Sequence, residues 1–318
     1  MKKMLGAISV SLAALTTALA QSWDMPTPYG DTTFHTQNIR QFAEDVSEAT
    51  NGQLEIIVHS AGSLFPHAEI KNAVRSGQVQ AGEFFLSRIV NENAAFGLDS
   101  QPFLATSYED AEALWAKQRE VVTELLADQR LIPLFSVPWP AQGLYTRGQI
   151  DTVDDLKGLR FRAYNAALEQ FASLAGAAPV QVEAPDIPQA FATGQVEAMI
   201  TSPSTGANSA AWDFLTHYTP INAWLPKNIV VVNRTAFNAL SDDTQAAVLT
   251  AAAAAETRGW EMSKAEAAAK TQVLADNGIV VYQPSAELVV GLEEIGATMQ
   301  ADLEATASSE ALAIMNSL

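Results

Sequence analysis

The amino-acid sequence predicts a two-lobed α/β protein with a ligand cleft between the lobes and one long helix that spans both. Its 318 residues exceed the ~100–200 typical of one domain, so two domains are expected. Short apolar runs alternate with segments of helical periodicity, which is typical of α/β lobes with largely parallel sheets. Residues 241–277 contain many alanines and no proline, which favours one uninterrupted helix.

In the first βα series, predicted strands cover 22–25, 54–58, 81–86 and 131–137, and helices cover 34–49, 69–75 and 108–127. The second series begins near Ala141, with strands at 158–162, 179–182 and 198–201 and helices at 166–175 and 187–193. The almost wholly apolar segment 228–233 predicts a strand buried on both faces. A strand at 279–283 and a helical segment from 285 to the end follow the long helix.

The long helix has clear ends. Ser241 can cap its start, acidic residues occupy its first turn, and Asn277-Gly278 ends it. At 1.5 Å per residue it is about 50 Å long, more than the width of one lobe. We therefore expect lobe one to comprise residues 21–139 and 228–257, and lobe two residues 140–227 and 258–318. Gly259 is the expected point of bending within the helix.

The first twenty residues predict a secretory signal peptide. Lys2 and Lys3 precede an uncharged run over 4–20, which ends in the small-x-small triplet Ala18-Leu19-Ala20. The alternative is an N-terminal membrane anchor, but the run is at the lower limit for a span and is diluted by Gly, Ser and Thr. Cleavage after Ala20 would place the mature chain in a periplasm, with no direct membrane insertion.

Composition restricts the partners and the chemistry. There are 18 Lys and Arg against 36 Asp and Glu, which gives a formal net charge of −18. Nucleic acid and anionic lipid surfaces require clustered basic residues, so neither is expected as a partner. The chain has no cysteine, which excludes zinc ribbons, disulfides and cysteine nucleophiles. A small molecule or another protein is the expected partner.

Motifs of enzymes are absent from the sequence. It contains no GxGxxG, GxxxxGK[ST], GxSxG or HExxH pattern. The four histidines are scattered without ligand spacing: His35, His59, His67 and His217. We therefore expect no metal site, no cofactor and no enzyme activity, although a glycosidase-type carboxylate pair is an open alternative.

Basic residues are few, and four of them lie on one predicted strand or in the segment that precedes it: Arg147, Lys157, Arg160 and Arg162. Arg162 lies at the end of that strand, where ligands bind in open α/β sheets. Its planar guanidinium matches a carboxylate. The alternative is a surface salt bridge to Asp154, Asp155 or Glu169, and Arg160 fits such pairing better.

Residues 151–162, DTVDDLKGLRFR, resemble the "DLKGLKIR" signature of the DctP-like solute-binding proteins of tripartite ATP-independent periplasmic (TRAP) transporters. Segments 61–65, 73–77, 172–179 and 194–198 extend the resemblance over essentially the whole mature chain. It implies a periplasmic binding protein fold that binds a small organic acid and delivers it to integral-membrane TRAP subunits. It also implies that Arg162 binds the ligand carboxylate.

This sequence departs from the family pattern at two places. Gln142 stands where many members have a second arginine, and residues 199–203 lack the usual asparagine, so that Thr201 and Ser202 would supply hydroxyls instead. The expected site also includes Trp139, within the break Pro138-Trp139-Pro140, together with Tyr164 and Phe84.

Such a pocket favours an aromatic or branched monocarboxylate over sugar acids and C4-dicarboxylates. Ordered waters could instead satisfy a more polar ligand. Two alternative functions remain at this point: a binding protein of an ATP-driven importer and, in a different class, a secreted hydrolase or lyase.

Overall fold

The computed structural model describes residues 21–317, and the predicted signal peptide lies outside them. The strands are β1 (Gln21–Pro26), β2 (Leu54–His59), β3 (Ala81–Phe85), β4 (Leu131–Pro138), β5 (Gly143–Thr146), β6 (Arg160–Ala163), β7 (Ala178–Gln181), β8 (Ala198–Thr201), β9 (His217–Thr219), β10 (Lys227–Asn233) and β11 (Val280–Val281). The α-helices are α1 (Phe34–Ala49), α2 (His67–Ser76), α3 (Tyr108–Ala127), α4 (Ala166–Leu174), α5 (Ile187–Ala192), α6 (Pro203–Asn208), α7 (Arg234–Asn238), α8 (Asp242–Asp276), α9 (Ala286–Thr306) and α10 (Ser309–Met315).

The strands form separate sheets that define two lobes. Lobe one is built on the pair β1-β2 and on the sheet β3-β10-β4, and lobe two on the sheet β11-β9-β5-β8-β6-β7. In lobe two, β6 is parallel to both β7 and β8, as predicted. In lobe one, β10 is antiparallel to β3 and β4, in contrast to the largely parallel sheet predicted. The chain returns from lobe two just before β10, so the first residue of β10 lies beside the last residue of β4 and the two strands run in opposite directions.

Two segments that connect the lobes are hydrogen-bonded to each other. One joins β4 to β5 and the other precedes β10. The Trp139 N–H donates to the Pro226 carbonyl at 2.8 Å, and the Gln142 N–H donates to the Trp224 carbonyl at 3.0 Å. The Ala223 N–H donates back to the Gln142 carbonyl at 3.0 Å. The crossings therefore form a two-stranded connection beside the cleft.

The prediction of a long helix over 241–277 is confirmed. Helix α8 has 35 residues, and the Ser241 side chain caps it by accepting a hydrogen bond from the Thr244 N–H. It contacts both lobes: Asn38 of α1 donates to the Ala255 carbonyl at 2.8 Å, and Ser204 of α6 donates to Glu266 at 2.6 Å. Among residues 21–317, no helix is both long and apolar enough to cross a bilayer.

Gly259 allows close packing of α8, which is continuous through it. A Cβ atom at this position would lie 2.4 Å from Val137 of β4 and 2.7 Å from the Asn38 amide of α1. Because no real Cβ contact is that short, the glycine lets the helix approach both elements. The sequence suggested a bend here, whereas the structure gives the glycine a packing role.

The last helix, α10, packs on lobe one. Ala311 and Ile314 are buried beside Leu98 and Leu114, the latter on α3. The predicted lobe-two range 258–318 did not include this return. The preceding helix α9 does belong with lobe two, since Leu288 and Leu292 are buried in the core under its large sheet.

Candidate functional site

A cavity lies between the lobes, where several strands end. Phe85 is the last residue of β3, Arg162 lies on β6, and Thr201 ends β8. Carboxyl ends of parallel strands meet at one sheet edge, which explains why β6, β7 and β8 contribute together. The lining residues are Tyr29, His67, Phe85, Trp139, Gln142, Arg162, Tyr164, Glu183, Ala184, Thr201, Thr205 and Pro226.

Arg162 brings a buried positive charge to this cavity. The residue is 3% exposed, and its Nε–H donates to the Val182 carbonyl at 3.0 Å. Its Nη1 has no hydrogen-bond partner among residues 21–317. The guanidinium carbon lies 5.1 Å from the centre of the Tyr164 ring. Burial lowers the pKa of Arg162 to about 10, so the side chain stays charged at neutral pH and can bind an anion.

The salt bridges considered from the sequence do not form at Arg162. Lys157 pairs with Asp154 at 2.7 Å, and the Asp155 carboxylate accepts from the Thr152 N–H at 2.9 Å. Arg160, two residues earlier on the same strand, does form a salt bridge, but its partner is Glu197 at 3.0 Å and not Asp154, Asp155 or Glu169. The two arginines share a face of β6 but lie at different points along it: Arg160 is about half exposed and pairs with a carboxylate, whereas Arg162, nearer the end of the strand, is buried and lines the cavity.

Gln142 and Tyr164 are bonded to each other and to the surrounding protein. The Tyr164 hydroxyl donates to the Gln142 Oε1 at 3.2 Å and accepts from the Trp224 Nε1–H at 3.0 Å. The Gln142 Nε2 donates to the Pro140 carbonyl at 2.8 Å. Burial raises the pKa of Tyr164, so the phenol is neutral. Gln142 therefore fixes the orientation of Tyr164 beside Arg162.

Aromatic side chains form the wall on the lobe-one side. Asn228 holds two of them, because its Oδ1 accepts from the Tyr29 hydroxyl at 3.2 Å and from the Trp139 Nε1–H at 3.1 Å. Phe85 reaches across to Tyr164 with ring centres 5.4 Å apart. The predicted wall residue Phe84 lies in the lobe-one core instead. Consecutive residues of a strand point to opposite faces, so Phe85 lines the cavity and Phe84 cannot.

The two predicted hydroxyl residues are placed differently. Thr201 lines the cavity at the end of β8. Ser202 is fully buried and acts as the N-cap of α6, where its Oγ accepts from the Thr205 N–H at 3.0 Å. Its carbonyl accepts from the Tyr145 hydroxyl at 3.2 Å. Ser202 therefore positions α6, and Thr205 of that helix lines the cavity in its place.

Among the cavity residues that the sequence reasoning missed, Glu183 and His67 are bonded to each other. Glu183 follows β7 of lobe two and accepts from Arg88 Nη1 at 2.8 Å and from His67 Nδ1 at 3.3 Å, both on lobe one. Burial acts to raise the pKa of Glu183, but the His67 hydrogen bond and the Arg88 charge outweigh it, and the pKa falls to about 2. Burial lowers the pKa of His67. No sequence signal linked these residues, which are 116 positions apart.

Comparison with known proteins identifies the relatives of this two-lobed chain. Residues 27–305 match the DctP family, described as bacterial extracellular solute-binding protein, family 7. The chain belongs to this family. A solute-binding protein of Albidiferax ferrireducens is 24% identical over 267 residues, which cover 82% of this chain and 76% of the relative. The resemblance noted in the sequence is thereby confirmed.

Solved structures agree with the DctP assignment and with the two-lobed fold. DctP7, a Bordetella pertussis extracytoplasmic solute receptor binding pyroglutamic acid, is 41% identical with a TM-score of 0.91, over 93% of this chain and 100% of that one. A marine metagenome TRAP solute-binding protein specific for pyroglutamate, from an unidentified microbe, is 42% identical with a TM-score of 0.91, over 94% and 98%. The first of these relatives is an extracytoplasmic solute receptor and the second a TRAP solute-binding protein.

Proposed function

We propose that this protein binds a compact monocarboxylate in the interlobe cavity and delivers it to the membrane subunits of a TRAP transporter. The observation that carries the proposal is the buried guanidinium of Arg162, which pairs with no carboxylate among the described residues and keeps Nη1 without a partner. A ligand carboxylate would supply the missing acceptor and the compensating charge. Tyr164, held by Gln142 and Trp224, would fix the guanidinium from one side.

The ligand class follows from the rest of the lining. Tyr29, Phe85 and Trp139 offer apolar area, which contributes about 25 cal/mol for each Å² buried. A second ligand carboxylate would lose water without gaining a free cation, at a cost of several kcal/mol. The two solved relatives described above bind pyroglutamate, a five-membered ring with one carboxylate. We therefore rank cyclic or branched monocarboxylates above sugar acids and C4-dicarboxylates.

We propose binding without chemical turnover. Both nitrogens of His67 are engaged, Nδ1 with Glu183 and Nε2 with the Phe85 N–H at 3.0 Å, so its imidazole is not free to transfer protons. A Glu183 carboxyl with a pKa of about 2 is a weak general base at neutral pH. Residues 1–20 would be the signal peptide that sends the mature chain to the periplasm.

Thermal denaturation with and without added acids tests the proposed function. A ligand present at 100 times its dissociation constant adds about 2.7 kcal/mol to the free energy of unfolding. Pyroglutamate should raise the melting temperature of the wild type and leave that of Arg162→Ala unchanged. If neither pyroglutamate nor any branched or aromatic monocarboxylate shifts the wild type at millimolar concentration, the proposal is wrong.

A further inference from the structure

Glu183 is a charged residue of the cavity to which the proposed carboxylate contact assigns no role. Its side chain is about one-third exposed and lines the cavity together with Arg162. We propose that Glu183 is a specificity-determining residue that accepts a hydrogen bond from an N–H or O–H of the ligand and excludes a second carboxylate. This inference rests on the proposed function, because it concerns the part of the ligand beyond the group bound by Arg162.

The carboxylate of Glu183 is held in place from the opposite lobe. Oε1 accepts from Arg88 and Oε2 accepts from His67, whereas Glu183 itself follows β7 of lobe two. Arg88 Nη1 also donates to the Tyr164 carbonyl at 3.5 Å, which gives Arg88 a second contact with lobe two. Because the bridge spans the cleft, the carboxylate cannot swing away from a ligand while the lobes are joined.

His67 takes part in this bridge as a neutral donor. The backbone N–H of Phe85 must donate to its Nε2, so Nε2 carries no proton and Nδ1 carries one. The Nδ1–H then donates to Glu183. An ionised carboxylate has about four lone-pair sites, of which Arg88 and His67 use two. Glu183 thus retains acceptor capacity for a donor on the ligand.

The charges around the cavity favour a ligand with a single negative charge. Arg88 already pairs with Glu183 at 2.8 Å, whereas the Arg162 guanidinium pairs with no carboxylate among residues 21–317 and is the one available to a ligand carboxylate. A monocarboxylate pairs with Arg162, whereas the second carboxylate of a dicarboxylate would meet the negative charge of Glu183 without a free guanidinium beside it. Like charges placed close together discriminate between ligands by penalising the wrong one.

Calorimetric affinities of three acids measure this selectivity. Pyroglutamate carries a ring N–H, cyclopentanecarboxylate has the same ring size without a donor, and succinate has a second carboxylate. In Glu183→Gln, which removes the charge and keeps the shape, the preference for pyroglutamate over each competitor should fall by about tenfold. Glu183→Ala should lower both preferences in the same direction. Each readout is a ratio of two affinities in one preparation, so partial unfolding does not imitate it.

Glu197→Gln is the matched control, because this lobe-two glutamate also pairs with an arginine, Arg160, but lies outside the cavity. Its preferences should equal those of the wild type. Preferences within about twofold of wild type in both Glu183 variants would overturn the inference. The proposed function would still stand in that case, provided that the wild type and both Glu183 variants bind monocarboxylates and Arg162→Ala does not. If the wild type binds none of the acids, both proposals fall.

Discussion

Replacing Arg162 with alanine separates ligand binding from stability. The side chain is buried, its Nε is committed to the Val182 carbonyl, and its Nη1 has no partner among the described residues. Removing one member of a buried charge pair costs roughly 2–5 kcal/mol of binding free energy. Since 1.4 kcal/mol corresponds to a factor of ten, the dissociation constant for pyroglutamate should rise by about 30- to 4,000-fold.

The free protein should tolerate the same change. Arg162 forms no salt bridge within residues 21–317, and burial already disfavours its charged form. The melting temperature without ligand should therefore be unchanged or slightly higher in Arg162→Ala. Lysine at this position keeps the charge but loses the two-pronged guanidinium, so Arg162→Lys should recover little affinity.

Titration calorimetry on three variants provides the measurement. Arg160→Ala is the matched control, since it removes an arginine of the same strand that pairs with Glu197 outside the cavity. Its affinity should equal that of the wild type. Near-native affinity in Arg162→Ala, or an equal loss in Arg160→Ala, would refute the assignment of the carboxylate to Arg162.

Three further predictions follow from the packing, the titration of His67 and the interlobe connection. Gly259→Ala should lower the free energy of unfolding measured in urea, because overpacking against Val137 costs about 1–3 kcal/mol, whereas the gain in helix propensity is only about 1 kcal/mol. Equal or greater stability would contradict the packing role. Burial lowers the pKa of His67, so at acid pH the unfolded chain binds a proton that the folded chain does not. The free energy of unfolding should therefore fall as the pH drops below about 6.5, by up to about 1.4 kcal/mol per pH unit. His67→Gln should remove that contribution, and an unchanged pH dependence would argue against it. Lobe closure about the crossings near Trp139 and Pro226 predicts a smaller radius of gyration in small-angle scattering with saturating ligand, and identical profiles would count against a hinge.

Features encoded locally were predictable from the sequence. Helix α8 follows from alanine-rich propensity with a serine cap, and the position of Arg162 at the cavity follows from its place near the end of a strand. Features that depend on distant contacts were not. The sequence does not show which face of β3 meets the cleft. The prediction of Phe84 was therefore wrong by one residue, and Phe85 lines the cavity. Ser202 looked like a pocket hydroxyl because its role as a helix cap depends on the turn that α6 makes there.

The bridge from Glu183 to His67 shows the same limit at longer range. The two side chains meet only because the lobes face each other, and nothing in either local sequence encodes that meeting. Gly259 is a related case. From the sequence alone a glycine within a helix predicts a flexible point, but in the structure it is needed because β4 and α1 pack closely against the helix.

A competition series in titration calorimetry would compare the ligand classes at this cavity in one experiment. The wild-type protein would be titrated with pyroglutamate, a branched 2-oxo acid, a benzoate-type acid, a uronate and succinate under one set of conditions. A cyclic or branched monocarboxylate should bind most tightly, with succinate and the uronate weaker by at least about tenfold. Tightest binding by the uronate or by succinate would contradict a site built from one free guanidinium, an opposing carboxylate and an aromatic wall.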